Sequence, residues 1–204
     1  MKTKTFTAKT VEEAVSAAAE FYNVNKDDIR YEITDAGSKG ILGIGAKDCV
    51  IEAHPLVTAL VESFVASTLE KMGFESEVYA IEKDDCVSVD ITSDYAGAII
   101  GRRGETLDAL QYLATLYINR FFPKERYIRV TLDIENYREK REQALIHLAN
   151  SVAAKVIRYK KDIVLEPMNP LERRIIHSAL QGNDKIVSKS IGTEPHRKVV
   201  ISLA

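Results

Sequence analysis

Between residues 97 and 106 the chain reads Gly97-Ala-Ile-Ile-Gly-Arg-Arg-Gly-Glu-Thr106, two arginines held between Gly101 and Gly104 and preceded by the apolar pair Ile99-Ile100. Leu107, Leu110, Leu113, Ala114 and Tyr117 follow at three- and four-residue spacing, which predicts a helix opening at Glu105. Glycine reaches backbone angles that a side chain forbids and lets another backbone come close. The first N–H groups of a helix have no internal partners, and the helix dipole puts positive charge there. Free donors, the dipole and two cations meeting at one turn make a site for phosphate.

Reading outward from this loop, the order of elements is informative. A helix is expected from about Leu56 to Met72, with Leu56, Ala59, Leu60, Ser63, Phe64, Ser67 and Thr68 on one side, ended by Gly73. Two strands, Ser76–Glu82 and Cys86–Thr92, flank the hairpin tip Lys83-Asp84-Asp85. A short helix, Tyr95–Ile100, leads into the loop; the helix 105–122 stops at Pro123, and a strand, Tyr127–Leu132, follows. This α-β-β-α-α-β order, with Ile-Gly-x-x-Gly between two helices, resembles the type II KH domain, a clamp for single-stranded nucleic acid. The resemblance implies phosphate contacts at Gly101, Arg102, Arg103 and Gly104 and at the N–H groups of Glu105 and Thr106. Bases are expected over an apolar groove built from Ile99, Ile100 and Leu107.

Upstream, Lys4–Ala8 alternates as a strand, and Thr10-Val-Glu-Glu13 is a capping box opening an Ala-rich helix, 11–22. Strands are expected at Ile29–Asp35 and Ala46–Ala53, separated by Gly37-Ser-Lys-Gly-Ile-Leu-Gly-Ile-Gly45. This glycine-rich segment lacks the Gly-Lys-Ser/Thr of a phosphate loop and reads as a hairpin tip. Ile41, Leu42 and Ile44 on such a tip suggest a protein partner.

Downstream, one long helix is expected from Glu135 to Lys161, with Tyr137, Ala144, Leu145, Leu148, Ala149, Val152 and Val156 as its buried stripe. In Asn169-Pro-Leu-Glu-Arg-Arg-Ile-Ile-His177 the asparagine is an N-cap, the proline suits the first helical position and Glu172 completes a capping box. Arg173 and His177 lie four residues apart, one turn over the other, and both are expected to face solvent. Strands Lys185–Ser190 and Arg197–Leu203 are expected to bring Lys185, Lys189, Arg197 and Lys198 near that face.

The net charge of −2 hides an asymmetry. Residues 54–135 hold 8 Lys+Arg against 14 Asp+Glu, whereas residues 136–204 hold 13 against 7. An anionic partner is expected mainly at the C-terminal third, and nucleic acid in the middle must be held by local geometry. Cys49 and Cys86 read as isolated free thiols, no secretory signal opens the chain, and no run is long enough to span a membrane, so a cytoplasmic protein without direct membrane insertion is expected. Histidines 54, 147, 177 and 196 are scattered without metal-ligand spacing, and no nucleophile adjoins a base; no metal, cofactor or enzymatic activity is expected.

The segment Asn169–His177, followed by Ser190-Ile-Gly-Thr-Glu-Pro-His-Arg197, resembles the Arg-x-x-x-His domain, a single-stranded nucleic-acid binder. The resemblance implies a second site at Arg173, Arg174, His177 and Arg197, where His177 also stacks on a base. Taken together, the three segments resemble the Jag family of bacterial SpoIIIJ-associated proteins over essentially all 204 residues. The expected fold is α+β in three small domains: a β-α-β-β unit at 1–53, the type II KH fold at 54–134, and helices on a three-stranded sheet at 135–204. The family implies cytoplasmic binding of single-stranded RNA in post-transcriptional regulation linked to cell elongation and the envelope. It also implies a small single-KH partner protein and an association with the YidC/SpoIIIJ membrane insertase. Many relatives carry a long charged linker after the N-terminal unit; here Ala53 to Leu56 leaves almost none.

Overall fold

The computed structural model describes residues 1–38, 46–123 and 126–204. The tip residues Ile41, Leu42 and Ile44, and with them the expected docking role of that tip, lie outside the described residues. The chain divides into two compact units, Met1–Glu135 and Asn136–Ala204.

In the first unit, β1 (Lys4–Ala8), α1 (Val11–Tyr22), β2 (Ile29–Asp35) and β3 (Cys49–Pro55) form an antiparallel sheet in the order β1-β3-β2, with the helix over one face. Thr10 Oγ1 accepts from Glu13 N at 3.2 Å, as its N-cap sequence predicts, and Asn23 ends the helix in the left-handed region (φ 55°). The third strand begins at Cys49 rather than Ala46 and runs through Pro55, because its ladder with β2 extends to the pair Ile29–Pro55.

Next come α2 (Val57–Lys71), β4 (Glu77–Lys83), β5 (Cys86–Thr92), α3 (Ala96–Ile100), α4 (Glu105–Asn119) and β6 (Arg129–Ile134). β4 pairs antiparallel with β5, and β5 parallel with β6, so the crossover between them must carry α3, the glycine loop and α4. Val87, Val89, Ile91, Val130, Leu132 and Ile134 point to the buried face of this sheet.

Helix α2 buries Ala59, Leu60, Val61, Val65 and Leu69, not the single stripe through Ser63 and Phe64 that spacing suggests. The reason is that α2 has two partners. Ser63 bonds Asn23, its Oγ accepting from Asn23 Nδ2 at 2.8 Å and donating to the Asn23 carbonyl, while the Phe64 ring stacks on Tyr117 at 4.4 Å. Rings then run on from Tyr117 to Phe121 (5.4 Å), to Tyr22 (5.9 Å) and to Phe6 (6.1 Å). Lys2 N donates to the Phe121 carbonyl at 2.8 Å, and Leu56 N to that of Asp28 at 2.7 Å. The N-terminal sheet is thus docked on the helices of the following domain by an aromatic ladder.

Helix α4 is also rotated from expectation. It buries Leu107, Leu110, Ala114, Thr115 and Ile118, and leaves Leu113 exposed beside Tyr112 and Leu116.

The second unit contains α5 (Tyr137–Tyr159), β7 (Ile163–Val164), α6 (Pro170–Leu180), β8 (Ile186–Ile191) and β9 (Lys198–Leu203), with sheet order β7-β9-β8. Its core joins Leu145, Ala149, Val152 and Val156 of α5 to Ile176 and Leu180 of α6 and to Val199 and Ile201 of β9. Leu148 and Ala144, expected in the stripe, are exposed, and Ala153 is buried in addition. The capping box is made on both sides: Asn169 Oδ1 accepts from Glu172 N at 2.9 Å and Glu172 Oε2 from Asn169 N at 3.3 Å. The other oxygen of the buried Glu172 pairs with Arg141 of α5 at 2.7 Å, tying the two helices together.

Burial pushes the phenols of Tyr22 and Tyr117 above the ordinary tyrosine value, in keeping with rings held in an apolar contact. Tyr22→Ala removes the ring at the centre of the ladder and should cost about 3 kcal/mol. Urea denaturation followed by circular dichroism should show one cooperative transition of the first unit at a lower midpoint. Separate transitions for the N-terminal sheet and the following domain would show that the ladder does not couple them.

Candidate nucleic-acid interface

At the loop the main chain, more than any side chain, is specialised. Gly101 has φ 71° and ψ −170°, Arg103 φ 57° and ψ 25°, and Gly104 φ 83° and ψ 7°. A Cβ at Gly101 would stand 2.1 Å from Thr106 Oγ1 and 2.8 Å from Thr106 Cβ, so no other residue fits without moving the start of α4. Arg103 is a non-glycine residue in the left-handed region, which costs about 1 kcal/mol. Strain of this kind persists where the surroundings fix the turn. Adjacent helical and left-handed residues turn successive N–H groups into one concavity, a nest for an anion. No side chain caps α4 at Gly104. Of the donors expected here, Glu105 N–H is turned inward to the Arg102 carbonyl and Gly104 N–H to that of Gly101 at 3.5 Å, which leaves Thr106 N–H at the positive end of a 15-residue helix. Arg102 is exposed and Arg103 half-buried.

The apolar groove needs correction. Ile99 and Leu107 are completely buried and belong to the core beneath the loop, because the apolar faces of α3 and α4 turn inward. Only Ile100 of the three reaches the surface, half-buried. Sequence reasoning passed over Tyr95, an exposed ring 5.7 Å from Phe74 at the start of α3. Its signal was an aromatic residue directly before the helix that feeds the loop.

In the second unit the expectation that Arg173 faces solvent is overturned: the residue is 8 % exposed. Its Nε donates to the Met168 carbonyl at 3.3 Å, Nη1 to Ser190 Oγ at 3.2 Å, and Nη2 pairs with Glu194. His177 is half-buried, its two ring nitrogens bonded to Ser188 Oγ at 2.7 Å and Ser190 Oγ at 2.9 Å. Arg173 and His177 thus reach one strand from one turn of helix and share Ser190. Neither serine nor Glu194 was singled out in the sequence, although Ser188 and Ser190 alternate along a strand as two residues of one face must.

Arg174 is exposed and, with His177, Ser178, Gln181 and Ser188, lines a cavity of about 690 Å³. Arg197 does not line it; its Nε is buried without a hydrogen-bond partner, and its carbonyl accepts from Met168 N at 3.2 Å. Lys189 and Lys198 are also displaced from expectation. Because Ser188 and Ser190 point to α6, Lys189 points to the opposite side of the sheet, as does Lys198, opposite Ile191.

Residues 58–134 match the KH domain of KhpA/KhpB, residues 6–55 the Jag N-terminus and residues 143–203 the Arg-x-x-x-His domain. Over 204 residues the chain is 44% identical to the RNA-binding protein KhpB of Clostridium symbiosum, covering 98% of this chain and 90% of the relative. The chain belongs to the KhpB family. It is 35% identical to KhpB of Bacillus subtilis, covering 99% of each chain. KhpB of Streptococcus pneumoniae serotype 2 is 29% identical over 86% of this chain and 53% of the relative. Within this KhpB-family chain, the glycine loop falls in the KH match, and Arg173 and His177 fall in the Arg-x-x-x-His match. The mixed α+β architecture agrees with all three matches.

Burial, and secondarily the Arg173 guanidinium, hold the His177 imidazole below its ordinary value of 6.5. The unfolded chain therefore binds this proton first as pH falls. The contribution of neutral His177 to stability is complete above about pH 6.5 and is lost as pH drops through the lowered folded value. The melting temperature of the second unit should fall on acidification below that point. In His177→Gln the fall should be shallower; an unchanged profile would show that other groups govern it.

Proposed function

We propose that this chain binds single-stranded RNA, with phosphates seated on the Gly101–Gly104 loop and the N–H group of Thr106, Glu105 N–H being held by the Arg102 carbonyl, and that it acts by binding, not by catalysis. The observation that carries this reading is the left-handed main chain at Arg103 and Gly104 opening onto an uncapped helix. Relatives named RNA-binding proteins over nearly the whole chain support it. Ile100 and Tyr95 offer apolar contact to bases, while Ile99 and Leu107 support the loop from beneath. The C-terminal cavity supplies a second contact through Arg174 and His177. Arg173 positions Ser190 and the turn 192–197, and Arg197 lies outside the cavity.

We place this activity in the bacterial cytoplasm, in post-transcriptional regulation linked to the envelope and elongation. The family resemblance supports that placement, and no helix among the described residues is long and apolar enough to cross a membrane. A small single-KH protein is the proposed partner, supported by the exposed stripe of Tyr112 (64 %), Leu113 (49 %) and Leu116 (49 %) on α4. A second reading, docking on a basic tail of the YidC/SpoIIIJ insertase, is favoured by the surplus of six acidic charges in residues 54–135. Crosslinking in cells with RNase treatment separates the two, since partners held through RNA are lost on digestion.

Arg102→Asp with Arg103→Asp keeps both glycines and hence the turn. If each arginine neutralises one phosphate, the log–log salt dependence of RNA binding should flatten by about 1.4, at about 0.7 per phosphate. Affinity should fall roughly tenfold or more, tenfold being about 1.4 kcal/mol. Equal slopes and affinities in a salt titration would remove the loop from the binding site.

Replacing Tyr112, Leu113 and Leu116 together by Ser should abolish recovery of the single-KH partner from cell extract and leave RNA affinity unchanged. Undiminished recovery would exclude the α4 stripe as the docking face.

A further inference from the structure

Each of the three sheets has helices on one face and an open face on the other, and the open faces differ in chemistry. On the N-terminal sheet the outward positions include Thr5, Thr7, Glu32 and Glu52, with Glu32 directly opposite Glu52. On the KH sheet they include Ser88, Asp90, Thr131 and Asp133, and Asp90 lies opposite Asp133. Both mix acidic residues with others: the KH face also carries Arg129 and the exposed Tyr79 and Ile81, and the N-terminal face Arg30 and Val50.

The open face of the C-terminal sheet differs in charge, its strand residues being lysine, aliphatic or serine with no carboxylate among them. Ile186 and Ser188 pair with Leu203 and Ile201, and Ser190 with Val199, on the helix side. The alternate positions, Val187, Lys189 and Ile191 on β8, Lys198 and Val200 on β9, and Val164 on β7, therefore point away from both helices. Val164 is 50 % exposed and Ile191 43 %. Lys185 precedes β8 in the same alternation and is exposed. No strand residue of this face is acidic; Asp162 and Glu166 flank β7 at the sheet edge. Lysine and aliphatic side chains alternate across the strands: Lys189 lies opposite Val200, and Ile191 opposite Lys198. Lys189 and Lys198 are then diagonal neighbours, about 7–8 Å apart.

The aliphatic residues of this face lie outside the core, which is on the other side of the sheet, and unlike those of the KH face they alternate with lysines and not with carboxylates. Ammonium groups interleaved with them select an anionic partner whose charges are spaced by less polar groups. We infer that this open face is a further binding surface for single-stranded RNA, distinct from the Arg173–His177 side of the same sheet. Its lysines meet phosphates, and Val164, Ile191 and Val200 pack against sugars and bases. The inference rests on the RNA-binding reading above and adds a surface to it. Without an aromatic platform such a surface is tolerant of sequence, because the phosphate term dominates.

The test uses the full-length chain and labelled oligouridylate in a salt titration. Lys185→Gln with Lys189→Gln and Lys198→Gln should flatten the log–log slope by about 2.1, three phosphates at about 0.7 each, and weaken binding at least tenfold. Ile191→Ser with Val164→Ser should weaken binding several-fold at an unchanged slope. The Arg102→Asp, Arg103→Asp protein should retain the lysine-dependent part of the slope. Wild-type slope and affinity in the lysine variant would overturn the inference, and the loop site would stand if the loop variant were still weakened. Loss in the lysine variant with no change in the loop variant would uphold this face and reject the loop. Undiminished affinity in the Ile191, Val164 variant would reduce the face to a patch of charge and overturn its role in seating bases. In a parallel assay with phosphatidylserine vesicles, lysine-dependent sedimentation with RNA affinity unchanged would assign the face to a lipid surface and overturn the inference. Circular dichroism checks each fold, and single Lys189→Glu substitutes for the triple variant if that fails to fold.

Discussion

The absence of a side chain at Gly101 is the constraint on which the rest depends. Thr106 occupies the space a Cβ would take, so α3 and α4 approach as closely as they do only because residue 101 is glycine. The chain then passes through two left-handed residues at Arg103 and Gly104, and the turn closes on itself through Gly104 N–H to Gly101 and Glu105 N–H to Arg102, which fixes the backbone at the start of α4. Recognition built from the backbone does not need a basic neighbourhood. This resolves the conflict between the proposed phosphate site and a domain carrying six more acidic than basic charges. Screening at physiological salt confines the effect of scattered surface charges to about 8 Å, whereas donors in contact with a phosphate act at bonding distance.

Features written in a few adjacent residues are legible in the sequence. The two capping sequences, the hairpin at Lys83-Asp84-Asp85 and the helix–glycine–helix order all follow from local chemistry, and strands β2 and β5 match their expected limits. Features that depend on which of two apolar stripes wins were not. Helix α4 carries Leu107, Leu110, Ala114 and Ile118 on one side and Tyr112, Leu113 and Leu116 on another; both have helical spacing, and only the sheet decides which is buried. The same holds for α2, whose Ser63 and Phe64 were absorbed by contacts to distant residues, Asn23 and Tyr117. At the site, Ile99 and Leu107 were misjudged because an apolar residue beside a binding loop serves equally well as floor or as core.

Arg173 illustrates a harder limit. Four-residue spacing correctly put it over His177 on one helical face, but the periodicity is silent on whether that face looks at solvent or at a strand. It looks at β8, where both residues hold Ser190 and Arg173 also holds Glu194. Arg173→Ala would take the donor from the Met168 carbonyl and cut the ties to Ser190 and Glu194, a penalty unrelated to any lost phosphate contact. Weakened RNA binding in such a variant would therefore report a displaced β8 and turn 192–197. Arg174, one residue on and exposed to the cavity, is the position at which substitution reads ligand contact directly.

The division of charge between the units then acquires a physical sense. Residues 136–204 carry a surplus of six basic charges, enough to draw a polyanion from solution, but most are lysines and arginines on long side chains with little geometric discrimination. The glycine loop has the opposite character: a fixed arrangement of donors in a region that repels polyanions at long range. On the proposed reading, capture by one unit would raise the local concentration of the strand at the other, and two modest sites on one chain would reach an affinity neither has alone. The gain depends on a strand long enough to engage both. Short oligonucleotides would see two weak sites, longer ones a single strong one, and length rather than base sequence becomes the first determinant of what this chain retains.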